Sequence, residues 1–310
     1  MLTNCGNSNN QKEIINEELK IESSQETVQI NGVNHFIKKI GNGEPLLVLH
    51  GGPGSFHDYL IPHFKRLAKT YQIIFYDQRG CGKTEFPQDT MSIKLENYIE
   101  DLEGIRNHLK IDKLNLVGHS WGALLAMNYG KKYTENLKRL ILISPAPANS
   151  DYFDQTFINM QKKRSEEDTK ELVETMMSSE FEKRETNTFK KAILLLNKVN
   201  LVDQETISKL YDSVNFNINS ANNLMLVNSL LERTYINFNT IEGLKSIQCP
   251  TLIIVGDMDN VPFNSIQLIQ ENITGSKLEV IRKSCHYPFF ESPKVFYSKI
   301  KNFLDPEYEE

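Results

Sequence analysis

Cysteines, long hydrophobic runs and clustered histidines are all scarce in this 310-residue sequence. The four cysteines, Cys5, Cys81, Cys249 and Cys285, lack metal-ligand spacing, which argues against a disulfide framework and against a zinc site. No apolar run approaches the roughly 20 residues that a membrane-spanning helix needs. The seven histidines form no His-Glu-x-x-His motif. We therefore expect no metal, no cofactor and no membrane span.

The sequence also lacks a large excess of either charge. It contains 40 acidic residues against 35 lysines and arginines, for a formal net charge of −5. This mildly acidic balance argues against nucleic acid or an anionic membrane surface as the main partner. The hydrophobic fraction of 39% and the charged fraction of 24% are ordinary for a globular protein. The chain is long enough to bury a sizeable core.

Residues 1–24 are polar and too poor in apolar side chains to pack, so we predict a disordered tail. Residues 2–6, Leu-Thr-Asn-Cys-Gly, resemble the end of a bacterial lipoprotein signal with Cys5 as the candidate lipid anchor. The charged start and the apolar stretch of a secretory signal are missing from this segment. As the sequence stands we expect a cytoplasmic protein, and a lipoprotein of the bacterial cell envelope is the alternative.

Strand-like and helix-like segments alternate along most of the remaining chain. Asn31-Gly32 lies between two alternating apolar and polar stretches, which is typical of a β-hairpin turn. Apolar runs predict buried strands, and an apolar periodicity of three to four residues predicts helices. The predicted strands are residues 45–49, 72–76, 114–117, 137–143, 250–256 and 277–282, and the predicted helices include residues 95–110 and 293–304. This alternation favours a mostly parallel sheet covered by helices.

The pattern changes between residues 146 and 245, which are charged, helix-prone and almost free of glycine. The strand pattern then resumes, so we predict a core of residues 25–145 and 246–310 with a helical cap inserted at 146–245. A cap in this position would cover the carboxyl ends of the strands, where open α/β sheets bind ligands. A separate helical domain is the alternative.

The most informative motif is Gly-His-Ser-Trp-Gly at residues 118–122, between a predicted strand and a helix-forming segment. This context is typical of a nucleophile elbow, in which the serine occupies a sharp, strained turn. Gly118 and Gly122 leave room where a side chain would collide with neighbouring elements. The helix that follows directs backbone N–H groups at the reaction centre. We therefore expect Ser120 to be a nucleophile, and a flexible turn is the alternative.

A serine nucleophile needs a base, which is itself oriented by an acid. In this kind of sheet the acid and then the base follow the serine, each after a later strand. His286 is the only histidine after Ser120, so we expect it to be the base. Asp257 and Asp259 both follow the strand at 250–256, and we prefer Asp259 because the turn needs room to bring its carboxylate back to the imidazole.

Attack on a carbonyl also needs N–H donors for the developing oxyanion. One is expected from the backbone of Trp121, directly after the nucleophile. The other is expected from the loop His-Gly-Gly-Pro-Gly at residues 50–54, at either Gly51 or Gly52. A simple tight turn is the alternative interpretation of this loop.

Residues 77–82, Asp-Gln-Arg-Gly-Cys-Gly, follow another predicted strand. Residues 80–84 end like a phosphate-binding loop, but Asp77 stands where that motif requires a glycine, so nucleotide binding is not expected. We expect Asp77 and Arg79 to form a buried ion pair that supports the neighbouring loop.

From about residue 28 to residue 304 the chain resembles the α/β-hydrolase fold and, within it, the proline iminopeptidase family of serine peptidases. The resemblance rests on the motifs at residues 50–54, 77–82 and 118–122, on Gly256-x-x-Asp259 and on His286. It implies a triad of Ser120, Asp259 and His286, and an oxyanion hole made by the amides of Gly51 or Gly52 and of Trp121. It also implies release of an N-terminal residue, usually proline, from short peptides.

In that family acidic cap residues bind the free α-amine of the substrate and an aromatic pocket holds its ring. The resemblance makes Glu232 the best candidate for the amine, with an exposed helical ion pair to Arg233 as the alternative. Trp121 and Phe238 are candidates for the aromatic pocket. The first hypothesis is therefore an aminopeptidase that acts on a small peptide. The second is a carboxylesterase or lactonase that uses the same triad on a small ester, and the third is a non-catalytic binding protein.

Overall fold

The computed structural model describes residues 21–232 and 238–305. The expected tail therefore lies outside the described residues up to position 20, and so does its candidate lipid anchor Cys5. The first strand begins at Ser23, so Ser23 and Ser24, which we had assigned to the tail, belong to the sheet. They pair with the opposite strand of the hairpin, at Ile40 and Lys39.

The described chain forms one eight-stranded sheet with the order β1-β2-β4-β3-β5-β6-β7-β8. The hairpin strands β1 and β2 are antiparallel to their neighbours, and the remaining strand pairs are parallel. The strands are β1 (Ser23–Ile30), β2 (Val33–Ile40), β3 (Glu44–Leu49), β4 (Tyr71–Tyr76), β5 (Leu114–His119), β6 (Leu137–Ile143), β7 (Thr251–Gly256) and β8 (Lys277–Ile281).

The α-helices are α1 (Ile61–Phe64), α2 (Leu95–His108), α3 (Trp121–Lys132), α4 (Phe153–Lys163), α5 (Glu166–Met176), α6 (Ser179–Glu182), α7 (Thr186–Asn197), α8 (Ile207–Leu210), α9 (Ile218–Glu232), α10 (Phe263–Asn272), α11 (Pro288–Glu291) and α12 (Pro293–Leu304). Short 3-10 helices span His57–Leu60, Lys65–Lys69, Thr90–Ser92, Thr134–Asn136, Ser150–Tyr152, Lys198–Asn200, Gln204–Thr206 and Glu242–Ser246. None of the helices in the described residues is long and apolar enough to cross a membrane.

The parallel strands β3 to β7 are largely buried on both faces, which explains their mostly apolar sequences, whereas the edge strand β8 is partly exposed. In β3, Leu47 and Leu49 belong to one hydrophobic cluster, whereas Leu46 and Val48 belong to another. Successive side chains of a strand point to opposite faces, so the two clusters are the two cores on either side of the sheet. This arrangement confirms the mostly parallel sheet covered by helices that the alternation of strands and helices predicts.

Between β6 and β7 the alternation of strands and helices is interrupted. The described residues there form the six α-helices α4–α9. We call residues 146–245 the inserted segment. Its two ends lie side by side, because Asn149 and Asn239 form an isolated β-bridge and the Thr240 amide donates to the Ala148 carbonyl at 2.8 Å. The two ends of the segment therefore lie next to each other where it leaves and rejoins the sheet.

Candidate active site

Ser120 occupies the strained turn that the motif predicts. It links β5 to α3 with φ 55° and ψ −116°, a conformation that a residue with a side chain rarely adopts. A Cβ atom at Gly118 would lie 2.4 Å from the carbonyl oxygen of Gly122, and one at Gly122 would lie 2.5 Å from that of Leu49. Both motif glycines are therefore required by close backbone contacts around the serine.

The structure brings His286 and Asp259 together. The imidazole Nδ1 of His286 lies 3.0 Å from Oδ1 and 3.2 Å from Oδ2 of Asp259. The Asp259 side chain is only 2% exposed. Burial opposes its ionisation, but the charge and hydrogen bond of His286 hold the pKa of the Asp259 carboxyl below its usual value. An ionised Asp259 accepts a hydrogen bond from Nδ1–H of His286, which leaves Nε2 as the atom that can act as a base.

Asp257, the alternative acid, has a different position. It is exposed, and its carboxylate accepts a hydrogen bond from the Ser284 amide at 3.3 Å. The Asp257 amide in turn donates to the carbonyl of Ile281 at 2.9 Å. Asp257 therefore stabilises the turn between the acid and base loops, whereas Asp259 is the residue that contacts the imidazole.

The serine and the imidazole are neighbours without a direct bond. The ring centroid of His286 lies 5.1 Å from that of His119, the residue before Ser120. Among the residues that the structure describes, neither Ser120 Oγ nor His286 Nε2 has a hydrogen-bond partner. Ligand-free active sites often have such open contacts, which tighten when substrate binds.

The two candidate glycines of the oxyanion loop differ in their hydrogen bonds. The Gly51 amide donates to the hydroxyl of Tyr59 at 2.8 Å, so its proton is already used. The Gly52 amide has no partner among the described residues, and Gly52 is exposed with φ 61°. Trp121 supplies the first amide of α3, directly after Ser120. The geometry therefore favours Gly52 over Gly51 as the second donor.

A buried hydrogen-bond network joins the oxyanion loop to the elbow through Gln78. The Gln78 amide group donates to the His50 carbonyl at 2.9 Å and accepts from the Trp121 indole at 2.7 Å. Its backbone N–H donates to His50 Nε2 at 3.2 Å. Sequence reasoning missed this role of Gln78, although the residue belongs to the conspicuous motif at 77–82.

The chain is similar in sequence to known α/β hydrolases. The family model for the α/β-hydrolase fold matches residues 44–293. The chain is 31% identical to a proline iminopeptidase of Heyndrickxia coagulans over 272 residues, which cover 86% of this chain and 92% of that protein. The chain belongs to the proline iminopeptidase family of α/β hydrolases. As a member of this family it is a serine hydrolase.

Further members and solved structures agree with this assignment. A proline iminopeptidase of Saccharolobus solfataricus is 30% identical over 295 residues, which cover 90% of this chain and 92% of that protein. Two crystal structures share the fold at 19% identity. The proline iminopeptidase of Mycobacterium smegmatis has a TM-score of 0.66 over 91% of this chain and 98% of that one. A membrane phospholipase A has a TM-score of 0.69 over 92% of this chain and 86% of that one.

The expected ion pair between Asp77 and Arg79 is wrong. Arg79 instead donates to both carboxylate oxygens of Asp101 on α2, at 2.8 and 2.7 Å. Asp77 lies 2.7 Å from Nδ1 of His57 and accepts the amide proton of Lys83 at 2.8 Å. The two side chains diverge because α2 offers the guanidinium a bidentate partner, which a carboxylate two residues away in the same loop cannot match.

The inserted segment of this hydrolase is bonded to the loops that carry both the acid and the base. The His286 amide donates to the Asn200 carbonyl at 3.1 Å. The side chain of Asn260, next to Asp259, donates to the Val199 carbonyl at 3.0 Å and to Asn200 Oδ1 at 2.8 Å. Sequence reasoning did not identify Asn200 or Asn260, since a lone asparagine in a loop carries no distinctive motif.

Two further contacts tie the inserted segment to the site. Asn228 of α9 donates to the carbonyl of Pro53 in the oxyanion loop at 2.5 Å. The carboxylate of Glu291 accepts the amide protons of Val202 and Cys285, each at 2.7 Å. The segment therefore contacts the oxyanion, acid and base loops together.

The candidates for substrate binding lie in different environments. Glu232 is the last residue of α9 and is exposed, and Arg233 beside it lies outside the described residues. Phe238 is partly buried against the hydrophobic cluster that contains Trp121. The Trp121 side chain itself is 3% exposed and packs edge-on against Tyr98, so its indole offers little surface to a substrate. Substrate roles for Glu232 and Phe238 stay predictions.

No metal site is present in the part of the chain that is described. No group of three or more His, Cys, Asp or Glu side chains is arranged there to hold an ion. Cys81, Cys249 and Cys285 are buried free thiols. Burial raises the pKa of the Cys285 thiol to about 12, so this neighbour of His286 does not compete as a nucleophile.

Because His50 and His119 are buried, we expect the free energy of unfolding to decrease in acid. Burial is the main cause that lowers the pKa of His50 to about 4 and of His119 to about 3, from a usual value of 6.5. Both are therefore neutral in the folded protein, whereas the unfolded chain protonates them near pH 6.5. Their contribution to stability is fully present above that pH and is lost as the pH falls toward 4.

Urea unfolding at pH 7, 6 and 5 measures this effect. Each histidine contributes a slope of about 1.4 kcal/mol per pH unit once the unfolded chain is protonated. The free energy of unfolding should therefore fall steadily from pH 6.5 downward. A free energy that is constant between pH 7 and pH 5 would contradict the assignment of these histidines as neutral.

Proposed function

We propose that this hydrolase releases an N-terminal residue, preferably proline, from short peptides through an acyl-enzyme on Ser120. The observation that carries the proposal is the 3.0 Å contact between His286 and Asp259, on loops that adjoin a strained Ser120. The preference for an N-terminal proline is inferred from the relatives, which are named proline iminopeptidases.

The reaction follows from the proton positions. His286 Nε2 accepts the Ser120 proton as Oγ bonds to the substrate carbonyl carbon, and the amides of Gly52 and Trp121 stabilise the oxyanion. The C–N bond then breaks, and the imidazolium gives its proton to the leaving amine. Water then attacks the acyl carbon while the same imidazole takes its proton. The bond between the acyl carbon and Ser120 Oγ breaks, the imidazolium returns the proton to Oγ, and the free acid leaves.

We propose that the inserted segment is a cap that forms one wall of the substrate site. Its contacts with the oxyanion, acid and base loops support this role. Glu232 lies at the end of α9, the helix that also contacts the oxyanion loop through Asn228. In this proposal the Glu232 carboxylate binds the substrate α-ammonium.

One observation favours a carboxylesterase or lactonase as the second candidate. In the described part of the inserted segment every acidic side chain is exposed, except Asp168 and Glu171, which pair with Lys198 at 2.9 Å and Lys191 at 2.7 Å. An ammonium that is removed from water needs a carboxylate beside it. A site without such a carboxylate would suit a neutral acyl group.

A substrate panel separates the two candidates. It contrasts the aryl-amide of proline, the same compound with a blocked amine, the aryl-amide of alanine and a short acyl ester, with Ser120→Ala as the blank. The peptidase proposal predicts that kcat/KM for the free proline amide exceeds that for the blocked one by about 100-fold, the size of a lost charged hydrogen bond in a buried site. Turnover of the ester while both proline amides stay intact would instead establish the esterase.

The Glu232→Gln variant tests the amine site within the same panel. It should raise KM about 10-fold for the free proline amide and leave KM for the ester unchanged, because only the amine loses its partner. Glu180→Gln, which changes another exposed glutamate of the inserted segment, serves as the matched control. Equal effects of both changes would remove Glu232 from the site.

A further inference from the structure

The hydroxyl of Tyr59 lies between the oxyanion loop and the nucleophile elbow. Tyr59 belongs to the 3-10 helix His57–Leu60 and is 4% exposed. Its oxygen lies 2.8 Å from the Gly51 amide nitrogen and 2.7 Å from Nδ1 of His119. The other ring nitrogen of His119, Nε2, lies 3.0 Å from the backbone carbonyl oxygen of His286. A continuous path of hydrogen bonds, buried at Tyr59 and partly buried at His286, thus connects three loops of the site.

Only one arrangement of protons satisfies this path. The His286 carbonyl can only accept a hydrogen bond, so His119 Nε2 must carry a proton. Burial above all, and then the neighbouring His286, lower the pKa of His119 to about 3, so its ring is neutral and has no second proton. Nδ1 therefore accepts from the Tyr59 hydroxyl, and the Tyr59 oxygen accepts from the Gly51 amide.

The path fixes groups on both sides of Ser120. On one side it orients the peptide that joins His50 to Gly51. The next peptide along the chain carries the Gly52 amide, which is the favoured oxyanion donor. On the other side it holds the backbone of His286, whose amide is held separately by the Asn200 carbonyl at 3.1 Å. Gly51 is closely packed against both side chains, because a Cβ atom at Gly51 would lie 2.8 Å from His119 Nδ1 and 3.0 Å from Tyr59 Oη.

We propose that Tyr59 and His119 are positioning residues. They hold the Gly52 amide and the His286 imidazole in the correct positions relative to Ser120. This inference rests on the proposed triad of Ser120, His286 and Asp259. Neither side chain exchanges a proton with the substrate. Their contribution is to the placement of the Gly52 amide and the His286 imidazole when the transition state forms.

The Tyr59→Phe variant removes only the hydroxyl and keeps the ring. It leaves the Gly51 amide and His119 Nδ1 without their partner, so both loops gain freedom to shift. We expect kcat to fall about 10- to 100-fold, the cost of a small misplacement of reacting groups, with KM changed less than about twofold. A change confined to kcat indicates lost transition-state contacts, whereas general loosening of the site would also raise KM.

Tyr211→Phe is the matched control. Tyr211 is also buried, its ring centroid lies 6.3 Å from that of Tyr59, and its hydroxyl lies 3.4 Å from that of Tyr287. Its hydroxyl contacts neither Gly51 nor His119, so this variant should keep kcat within about twofold of the unchanged protein. Kinetics for both variants are measured below the lower of their two melting temperatures.

A double-mutant cycle with His119→Phe completes the test. If the two side chains act as one path, the kcat of Tyr59→Phe/His119→Phe should match that of the worse single variant. Multiplicative losses, an unchanged kcat in Tyr59→Phe, or equal losses in Tyr59→Phe and Tyr211→Phe would each overturn the proposal. Should His119→Phe fail to fold, the comparison of Tyr59→Phe with Tyr211→Phe decides. If the proposed function itself were wrong, the result would differ, because the protein without any substitution would show no more activity than Ser120→Ala.

Discussion

Replacing Ser120 by alanine should lower kcat by about 10⁵-fold or more on whichever substrate of the panel is turned over best. The variant keeps the strained turn and both flanking glycines, and it removes only the oxygen that attacks the carbonyl. Activity that survives would come from the oxyanion donors and from substrate binding alone, which accelerate the reaction modestly over water. Steady-state kinetics at pH 7.5 measure the effect.

Ser276→Ala provides the control for this variant. Ser276 precedes β8, and its hydroxyl donates to the Gln270 carbonyl at 3.0 Å, so the change removes one bonded serine oxygen elsewhere in the fold. It should leave kcat within about twofold. If Ser120→Ala retained more than about 1% of the activity of the unchanged protein, Ser120 would not be the nucleophile.

The second large effect is expected from Asp259→Asn, which should lower kcat about 10⁴-fold. An asparagine at this position can no longer fix the proton of His286 on Nδ1, so the wrong tautomer is stabilised and Nε2 stops acting as a base. The loss of charge also removes the stabilisation of the imidazolium that forms during the reaction. Circular dichroism establishes that the fold is retained.

The same loop supplies a matched comparison in Asp257→Asn. This aspartate is exposed and bonds to the Ser284 amide at 3.3 Å, without contact to the imidazole. We expect at most a fewfold loss of kcat. Similar losses in the two variants would contradict the assignment of Asp259 as the acid, and a larger loss in Asp257→Asn would exchange their roles.

Most of the sheet could be predicted from the sequence because its central strands β3 to β7 are largely buried on both faces. The sequence pattern located β6 at its observed bounds and β3, β4, β7 and β8 to within one residue at each end. The helix α12 was also predicted at its observed bounds, since Phe296, Ile300 and Leu304 repeat every four residues on its buried face. In such elements the local pattern and the tertiary environment agree, so the pattern is informative.

The alternatives that the sequence left open depended on which of two neighbouring groups faces a partner from a distant strand. Asp257 and Asp259 differ by two residues, and only the approach of His286 separates them. Gly51 and Gly52 are separated only by the hydroxyl of Tyr59, which takes the Gly51 proton. No spacing rule encodes such contacts, because they depend on side-chain directions in the folded chain.

The wrong pairing of Asp77 with Arg79 has the same cause. Opposite charges two residues apart suggested a local pair, but each side chain found a better partner, in His57 and in Asp101. Tyr59 and His119 were likewise not recognised, since their connection spans 60 positions in sequence. Sequence patterns thus identified the reacting groups, whereas the groups that position them required the structure.

The most direct test of the central claim is to treat the protein with a fluorophosphonate probe and to map the adduct by mass spectrometry. The probe reacts only with a serine that is activated by a base and faces oxyanion donors. We predict a single adduct on Ser120, formed much more slowly in Asp259→Asn and at the unchanged rate in Asp257→Asn. A protein that hydrolyses its substrate while Ser120 stays unmodified, or that carries the adduct on another residue, would contradict the triad.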